Sequence, residues 1–297
     1  MDLVSDFIIV LLQQSAFVTM FVVALLGLCI GSFLNVVIYR TPLMMQAQWQ
    51  DECRYLLQDE LAKPYQAEAS NNKAMSLSFP PSRCPHCAHQ IRWYENLPVI
   101  SWLALRGKCS DCKAPISMRY PLVEIITAIL SVLVVIKFGV TWQGLAALVL
   151  TWTLVALTGI DFDTQLLPDR FTLPLAGLGL WVNAYGLFVS PTQAIFGYVI
   201  GFLCFWVVYK LFLLFTGKHG MGHGDFKLLA ALGAWLGPLM LPLIVFLSAM
   251  IGSIIGVILM RRAGESKPFA FGPYIAIAGM VALLYGQEMI SWYLGSF

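Results

Sequence analysis

The chain alternates between long apolar runs and short polar turns, with one extended polar segment at 41–120. The apolar runs are Phe7–Tyr39, Pro121–Phe138, Trp142–Ile160, Phe171–Val189, Ala194–Phe215, Leu228–Leu236, Met240–Met260 and Phe269–Ile290. A helix needs about 20 apolar residues to cross a bilayer. The pattern therefore predicts an all-α polytopic membrane protein with about eight transmembrane helices and one polar insertion. Phe7–Tyr39 is long enough for a single helix with an extended polar-side end. Leu228–Leu236 is short and is followed by Gly237-Pro238, so 226–260 reads as two helices broken near Pro238. One kinked helix, and hence seven spans, is the alternative, because membrane helices tolerate proline. The domain organisation that follows is a first transmembrane helix at 7–39, a loop domain at 40–121 and a membrane-embedded core at 122–297.

Composition agrees with this reading: 59% of residues are hydrophobic and 11% charged, with a mean hydropathy of +0.77, far from a soluble domain. The lipid bilayer is thus one partner. A net charge of +2 gives no support to a nucleic-acid partner. The start, Met1-Asp2-Leu3-Val4-Ser5-Asp6, lacks the basic region of a signal peptide, so the first run reads as a retained helix. With eight spans and the N-terminus outside, 16 of the 18 Lys and Arg residues fall in the segments 40–121, 161–170, 216–227 and 260–268. Basic loops stay in the cytoplasm. The seven-span alternative weakens this asymmetry by moving Arg261, Arg262 and Lys267 outside. The eight-span arrangement also sets Asp161 and Asp225 at one membrane face.

In the polar segment, Asp51–Ala62 reads as a short amphipathic helix and Ser70–Pro81 as loop. Cys84-Pro85-His86-Cys87 is followed, after 21 residues, by Cys109-Ser110-Asp111-Cys112. Two such knuckles can wrap one tetrahedral Zn²⁺ with four thiolates, which makes Cys84, Cys87, Cys109 and Cys112 the metal ligands and the insertion zinc-binding. A redox dithiol or two disulfides are the competing readings, and a cytoplasmic location disfavours disulfides. His86 and His89 are spectators once four cysteines are present. Cys29 and Cys204, inside apolar runs, read as packing residues. Gly27, Gly31 and Ser32 would let a neighbouring helix come close, and Asn35 predicts a buried polar contact. No internal repeat or low-complexity segment is evident.

The acidic residues carry the chemistry. Asp225 lies in His219-Gly220-Met221-Gly222-His223-Gly224-Asp225-Phe226-Lys227, a glycine-rich turn at the mouth of an apolar run. Asp161-Phe162-Asp163 and Leu167-Pro168-Asp169 end another run, 64 positions earlier. Acids at such places are functional candidates by default; the bland reading is a solvated turn or a pair of helix caps. Two carboxylates at one interface can share a proton, one activating water and the other polarising a carbonyl. Asp163, two residues on, would face away from Asp161 on a helix, and Asp169 reads as an N-cap. His219 and His223 are four apart, but the glycines between them argue against a helix, and no H-E-x-x-H occurs. Glu124, just inside the second run, is either a partner of Arg119 or Lys108 or part of a second active site.

Gly222-x-Gly224-Asp225 together with Asp161-x-Asp163…Leu167-Pro168-Asp169 resembles the type IV prepilin peptidases, membrane aspartyl proteases of the GxGD type. So do the run GSFLNVVIYRTP at 31–42, Lys227-Leu228…Ala230…Gly233-Ala234-Trp235-Leu236-Gly237 and Gly272-Pro273. Trp49…Glu52-Cys53, both CxxC pairs, Asn96-Leu97-Pro98…Ser101-Trp102 and Ile116-Ser117-x-Arg119-Tyr120-Pro121-x-Val123-Glu124 resemble the bifunctional members, so the likeness runs from Gly31 to Pro273. The resemblance implies that Asp161 and Asp225 are the catalytic pair of an aspartyl protease core, since the first aspartate of the D-x-D run is the catalytic one. It implies removal of the leader of type IV prepilins or type II secretion pseudopilins after a Gly. N-methylation of the new terminal residue, usually Phe, with S-adenosyl-L-methionine would follow. It also implies a multi-pass protein of the bacterial inner membrane, with its active site at the cytoplasmic face. Methylation rests on the resemblance alone, because no G-x-G-x-x-G follows a strand. A proton-coupled transporter is the alternative class, although it would place its acids near the midplane in repeated halves. A non-catalytic assembly factor of a secretion system is the third.

Overall fold

In an apolar surrounding each backbone N–H and C=O must find a partner within its own segment, which a helix provides. The structure, a computed structural model, describes residues 15–57, 75–218, 221–263 and 270–295. Each of the eight apolar runs carries a helix there, although the run Phe171–Val189 is helical only as far as Ala184. The helices are α1 (Ala16–Leu56), a short α2 (Ile100–Ala104), α3 (Arg119–Phe138), α4 (Trp142–Thr164), α5 (Asp169–Ala184), α6 (Pro191–Thr216), α7 (His223–Leu236), α8 (Leu241–Ala263) and α9 (Gly272–Gly295). The described residues hold no β-sheet. Six segments are long and apolar enough to cross a membrane: α1, α3, α4, α6, the stretch Pro238–Ile258 and α9. At 16 and 14 residues, α5 and α7 are shorter. The expected break near Pro238 is present. Gly237 at φ +78° closes α7 through its N–H to the Gly233 carbonyl, and Pro238 opens a 3-10 turn before α8.

Residues 25–128 form one compact unit. Here α1 runs straight through Thr41-Pro42 to Leu56, whereas the sequence pattern ended that helix near Tyr39. A proline inside a helix removes one hydrogen bond, but the turn around it is held from outside. Arg40 is buried and donates to the carbonyls of Ser76 (2.9 Å), Leu77 (3.3 Å) and Pro80 (2.6 Å). The expected amphipathic helix at 51–62 is, as far as Leu56, the end of α1, and 58–62 lie outside the described residues. Gly31 allows the predicted close approach: a Cβ there would stand 2.6 Å from the Glu124 Cα. Asn35 makes its buried contact by donating Nδ2 to the Tyr120 carbonyl, 3.1 Å away.

Residues 129–297, with 1–24, form the other unit, and α7 is its centre. From Asp225 to Leu236 every residue except Lys227 is buried, so α7 is a core helix rather than an amphipathic one. It packs against α5, α6 and α9. The α6 contact is backbone on backbone: a Cβ on Gly197 would strike the Gly233 carbonyl, and one on Gly201 would lie 2.7 Å from the Leu229 carbonyl oxygen. The last carbonyls of a helix have no partner within it. In α7 they are met by Asn183, whose Nδ2 donates to Ala234 O (2.8 Å) and Trp235 O (2.9 Å) while its Oδ1 accepts from the Phe188 and Val189 N–H groups. Trp235 in turn donates to the Leu175 carbonyl at 2.8 Å. Cys29 and Cys204 are exposed on apolar helix faces, not packed inside as their sequence surroundings predicted.

Gly197→Ala should therefore lower the stability of the detergent-solubilised protein by about 1–3 kcal/mol, the cost of overpacking. A Cβ on Gly177 meets nothing within 4 Å, so Gly177→Ala should be neutral or slightly stabilising. Thermal unfolding of the two variants side by side reads the difference.

Candidate functional site: a buried carboxylate pair and a four-cysteine cluster

The last turn of α4 carries Asp161. Leu150, Leu154, Leu157 and Ile160 form the buried stripe of that helix, and Asp161 falls on it, 4% exposed. The helix closes at Gln165, whose left-handed backbone (φ +55°) returns its N–H to the Asp161 carbonyl at 2.9 Å. Asp163 lies on the exposed side, as helical geometry predicted. Asp225 is the third residue of α7, behind the N-cap Gly222, and is 7% exposed. Its carboxylate faces the Gly222 backbone N–H and lies close enough to Asp161 for the two charges to repel each other. The structure thus brings the two aspartates together.

Three further residues wall the pair. A Cβ on Gly224 would stand 2.6 Å from the Leu167 Cβ, and one on Gly272 would stand 2.5 Å from Asp161 Oδ2 and 2.9 Å from Leu167 Cδ1. Glycine is thus required at both positions by close approach. Asp161 Oδ2 is buried and accepts no hydrogen bond among the described residues. Gly272-Pro273 was visible in the sequence only as part of the family likeness. That it stands against Asp161 was not, since it lies more than a hundred positions away.

Asp169 does not cap α5; the N-cap is Pro168, and Asp169 is the first helical residue. Its carboxylate takes both contacts from the Lys227 ammonium, at 2.6 and 2.7 Å, because Lys227 is the one residue between Asp225 and Leu236 that is not buried. The His223 ring packs on Tyr209 and Phe226, with centroids at 5.1 and 5.4 Å, and His219 lies outside the described residues. Glu124 meets neither Arg119 nor Lys108. It accepts from the Val99 N–H at 2.8 Å and from the Ser32 hydroxyl.

The four cysteines of the 25–128 unit converge. Their sulfurs all lie within 4.8 Å of one another, with Cys84–Cys112 at 3.8 Å and Cys87–Cys109 at 3.9 Å. A tetrahedral Zn–S₄ centre with bonds of about 2.3 Å has S···S edges of about 3.8 Å, so the set fits zinc and is not disulfide-bonded. Although no repeat was evident in the sequence, the two knuckles are built alike, 25 positions apart. Arg83 pairs with Gln90 as Lys108 pairs with Pro115. Cys84 and Cys109 donate to His89 O and Ala114 O, and Ala88 and Lys113 return their N–H groups to Cys84 O and Cys109 O. The Cys87 and His86 backbone N–H groups hold the Cys84 thiol down to about 6. Cys87 is pushed up to about 12: the His89 N–H lowers it, but lost hydration and the surrounding thiols outweigh that. His89 is not a ligand. Its ring meets Glu95 at 3.2 Å and the Ser110 hydroxyl at 3.4 Å. Glu95 is held down to about 2, chiefly by the Arg92 backbone N–H and then by Ser110.

The profile of the bacterial peptidase A24 N-terminal domain matches residues 25–138, and that of the type IV leader peptidase family matches 148–257. A prepilin leader peptidase/N-methyltransferase of Stutzerimonas stutzeri is 55% identical over 91% of both chains. The chain belongs to the type IV leader peptidase family. Proteins of the same name from Aeromonas hydrophila (52% identical, 93% of both chains) and Pseudomonas aeruginosa (53%, 91% of both) are similarly related. No solved structure matches the chain. The first profile spans the four cysteines and Glu124, and the leader peptidase profile spans both aspartates.

The Asp169–Lys227 pair is exposed on its Asp169 side, so a double-mutant cycle with Asp169→Asn and Lys227→Met should return a coupling of about 1 kcal/mol or less. Unfolding of the four proteins measures it.

Proposed function

We propose that this chain is a membrane aspartyl endopeptidase that removes the leader of type IV prepilins or pseudopilins after a Gly and then N-methylates the new terminal residue, usually Phe. The observation that carries the protease half is the meeting of Asp161 and Asp225, two buried carboxylates from distant stretches of chain, with one Asp161 oxygen left without a partner among the described residues.

Two close carboxylates share a proton more readily than both ionise. The ionised member takes a proton from water as the water oxygen attacks the carbonyl carbon of the scissile Gly. The protonated member gives its proton to the carbonyl oxygen. Collapse of the tetrahedral intermediate breaks the C–N bond: the departing amine receives the proton taken from water, and one hydroxyl of the intermediate returns its proton to the aspartate that gave it, leaving the carboxylic acid. Gly222, where a Cβ would meet only Asp225 Oδ2 at 3.6 Å, leaves room for the substrate backbone beside Asp225. The apolar helix of a prepilin would lie in the bilayer and its basic leader in the cytoplasm. The cut then falls at the cytoplasmic face of the inner membrane, where the distribution of Lys and Arg puts both aspartates.

Cys84, Cys87, Cys109 and Cys112 would hold one Zn²⁺ in a closed site, where the metal holds shape and supplies folding energy. S-adenosyl-L-methionine is the methyl donor on this reading. The described residues form no strand-to-helix glycine turn for such a nucleotide-like group, and no step is derived through it.

Asp161→Asn and Asp225→Asn should each slow prepilin cleavage on the order of 10²–10⁴-fold or more, with the double variant little worse because the pair acts as a unit. Asp163→Asn and Asp169→Asn should stay clearly active. Cleavage by purified variants decides: an active Asp161→Asn beside an inactive Asp163→Asn overturns the assignment, and activity in both single Asn variants of the pair ends the aspartyl mechanism. Elemental analysis of active protein should find one zinc per chain, and Cys→Ser at any of the four should damage methylation more than cleavage. Active protein without metal would remove the zinc site.

A further inference from the structure

The carboxylate pair comes from α4 and α7, but a third helix reaches it. Helix α9 begins at Gly272, packs against both α4 and α7, and aims its first turn at Asp161. The first amides of a helix have no partner within it and favour an acidic group nearby. The Gly272 N–H faces the Asp161 carboxylate. Two residues on, in the same turn, the buried Tyr274 feels the Asp161 charge. The independent observation is on the acid itself: Asp161 is 4% exposed, and its Oδ2 accepts no hydrogen bond among the described residues. The backbone at 272 stands so close to that oxygen that a Cβ would come within 2.5 Å of it.

We infer that Gly272 and Tyr274 are positioning residues for cleavage: the first turn of α9 fixes the Asp161 carboxylate so that Oδ2 is the oxygen presented to the reacting water. The inference rests on the reading of Asp161 as catalytic. It makes α9 the third wall of the site. Gly272 acts through its lack of a side chain, and Tyr274 through its buried place in the same turn. A displacement of about 1 Å at such a group can cost on the order of 10²-fold in rate.

The test uses the full-length protein in detergent micelles with a purified prepilin, and a pre-cleaved pilin with S-adenosylmethionine as a measure of folded protein. Gly272→Ala should lower kcat for cleavage on the order of 10²-fold, with KM and methylation of the pre-cleaved pilin little changed. The same Cβ would also meet Leu167 Cδ1 at 2.9 Å, so Leu167→Ala is added to separate the two clashes. If the damage passes through Asp161, the second change does not restore cleavage. Restoration by Leu167→Ala, or near wild-type cleavage by Gly272→Ala alone, overturns the inference. Should Gly272→Ala fail to yield folded protein, Tyr274→Phe decides. It should move the pH profile of kcat/KM for cleavage while methylation stays intact, and a profile superimposable on wild type overturns the inference. Asp161→Asn is run alongside. Its retention of full cleavage would sink the catalytic reading itself, whereas an inactive Asp161→Asn with an unaffected Gly272→Ala sinks only the role of α9.

Discussion

Two carboxylates held together inside an apolar helical core are the constraint on which the rest of this protein turns. Taking one charge out of water costs several kcal/mol even after relaxation, and a second acid beside it raises the cost. Asp161 and Asp225 sit where that cost is most reduced: the last turn of α4 and the first turn of α7, next to backbone N–H groups that helix starts leave unpaired. Even so, Asp161 Oδ2 is left without a partner among the described residues. A protein that needed only stability would not retain this arrangement, and the shared proton of an acid pair gives it a use.

Holding the pair requires a rigid α7, and the packing around that helix serves this end. At 14 residues it is too short to be stabilised by its own hydrogen bonds alone, so tertiary contacts supply the remainder. Gly197 and Gly201 bring α6 backbone against α7 backbone, Asn183 satisfies its final carbonyls, and Trp235 is tied to Leu175 while its ring fills the space left by Gly179. The Lys227–Asp169 pair fastens the exposed side of the turn that follows Asp225.

The unit at 25–128 solves a different problem. Its long polar loop has little apolar material to bury, and the four-cysteine cluster with two matching knuckles takes the place of a core. Glu124 and Arg40 are buried there too, each answered by backbone groups: Val99 N–H for the acid, the carbonyls of Ser76, Leu77 and Pro80 for the guanidinium. Val99 takes φ +59° to make its contact, a costly conformation for a β-branched residue.

Local chemistry decided much of this in advance. Apolar runs in lipid must be helices, so the positions of the eight helical runs and the break at Gly237-Pro238 were legible from residue type alone. The CxxC spacing named the four thiols, and the period of a helix separated Asp161 from Asp163. The features that escaped the sequence depend on partners far along the chain. The first run reads as ending near Tyr39 until the carbonyls near Ser76 are seen holding Arg40. Asp169 reads as a cap until Lys227 is seen across from it. The knuckle repeat hides because it lies in backbone hydrogen bonds, which almost any side chain permits. Gly272 and Tyr274 have no local signature of standing beside Asp161, since only the packing of α9 against α4 and α7 brings them there. Local residue type sets which segments are helical and which groups can react; the tertiary structure alone sets which of those groups meet.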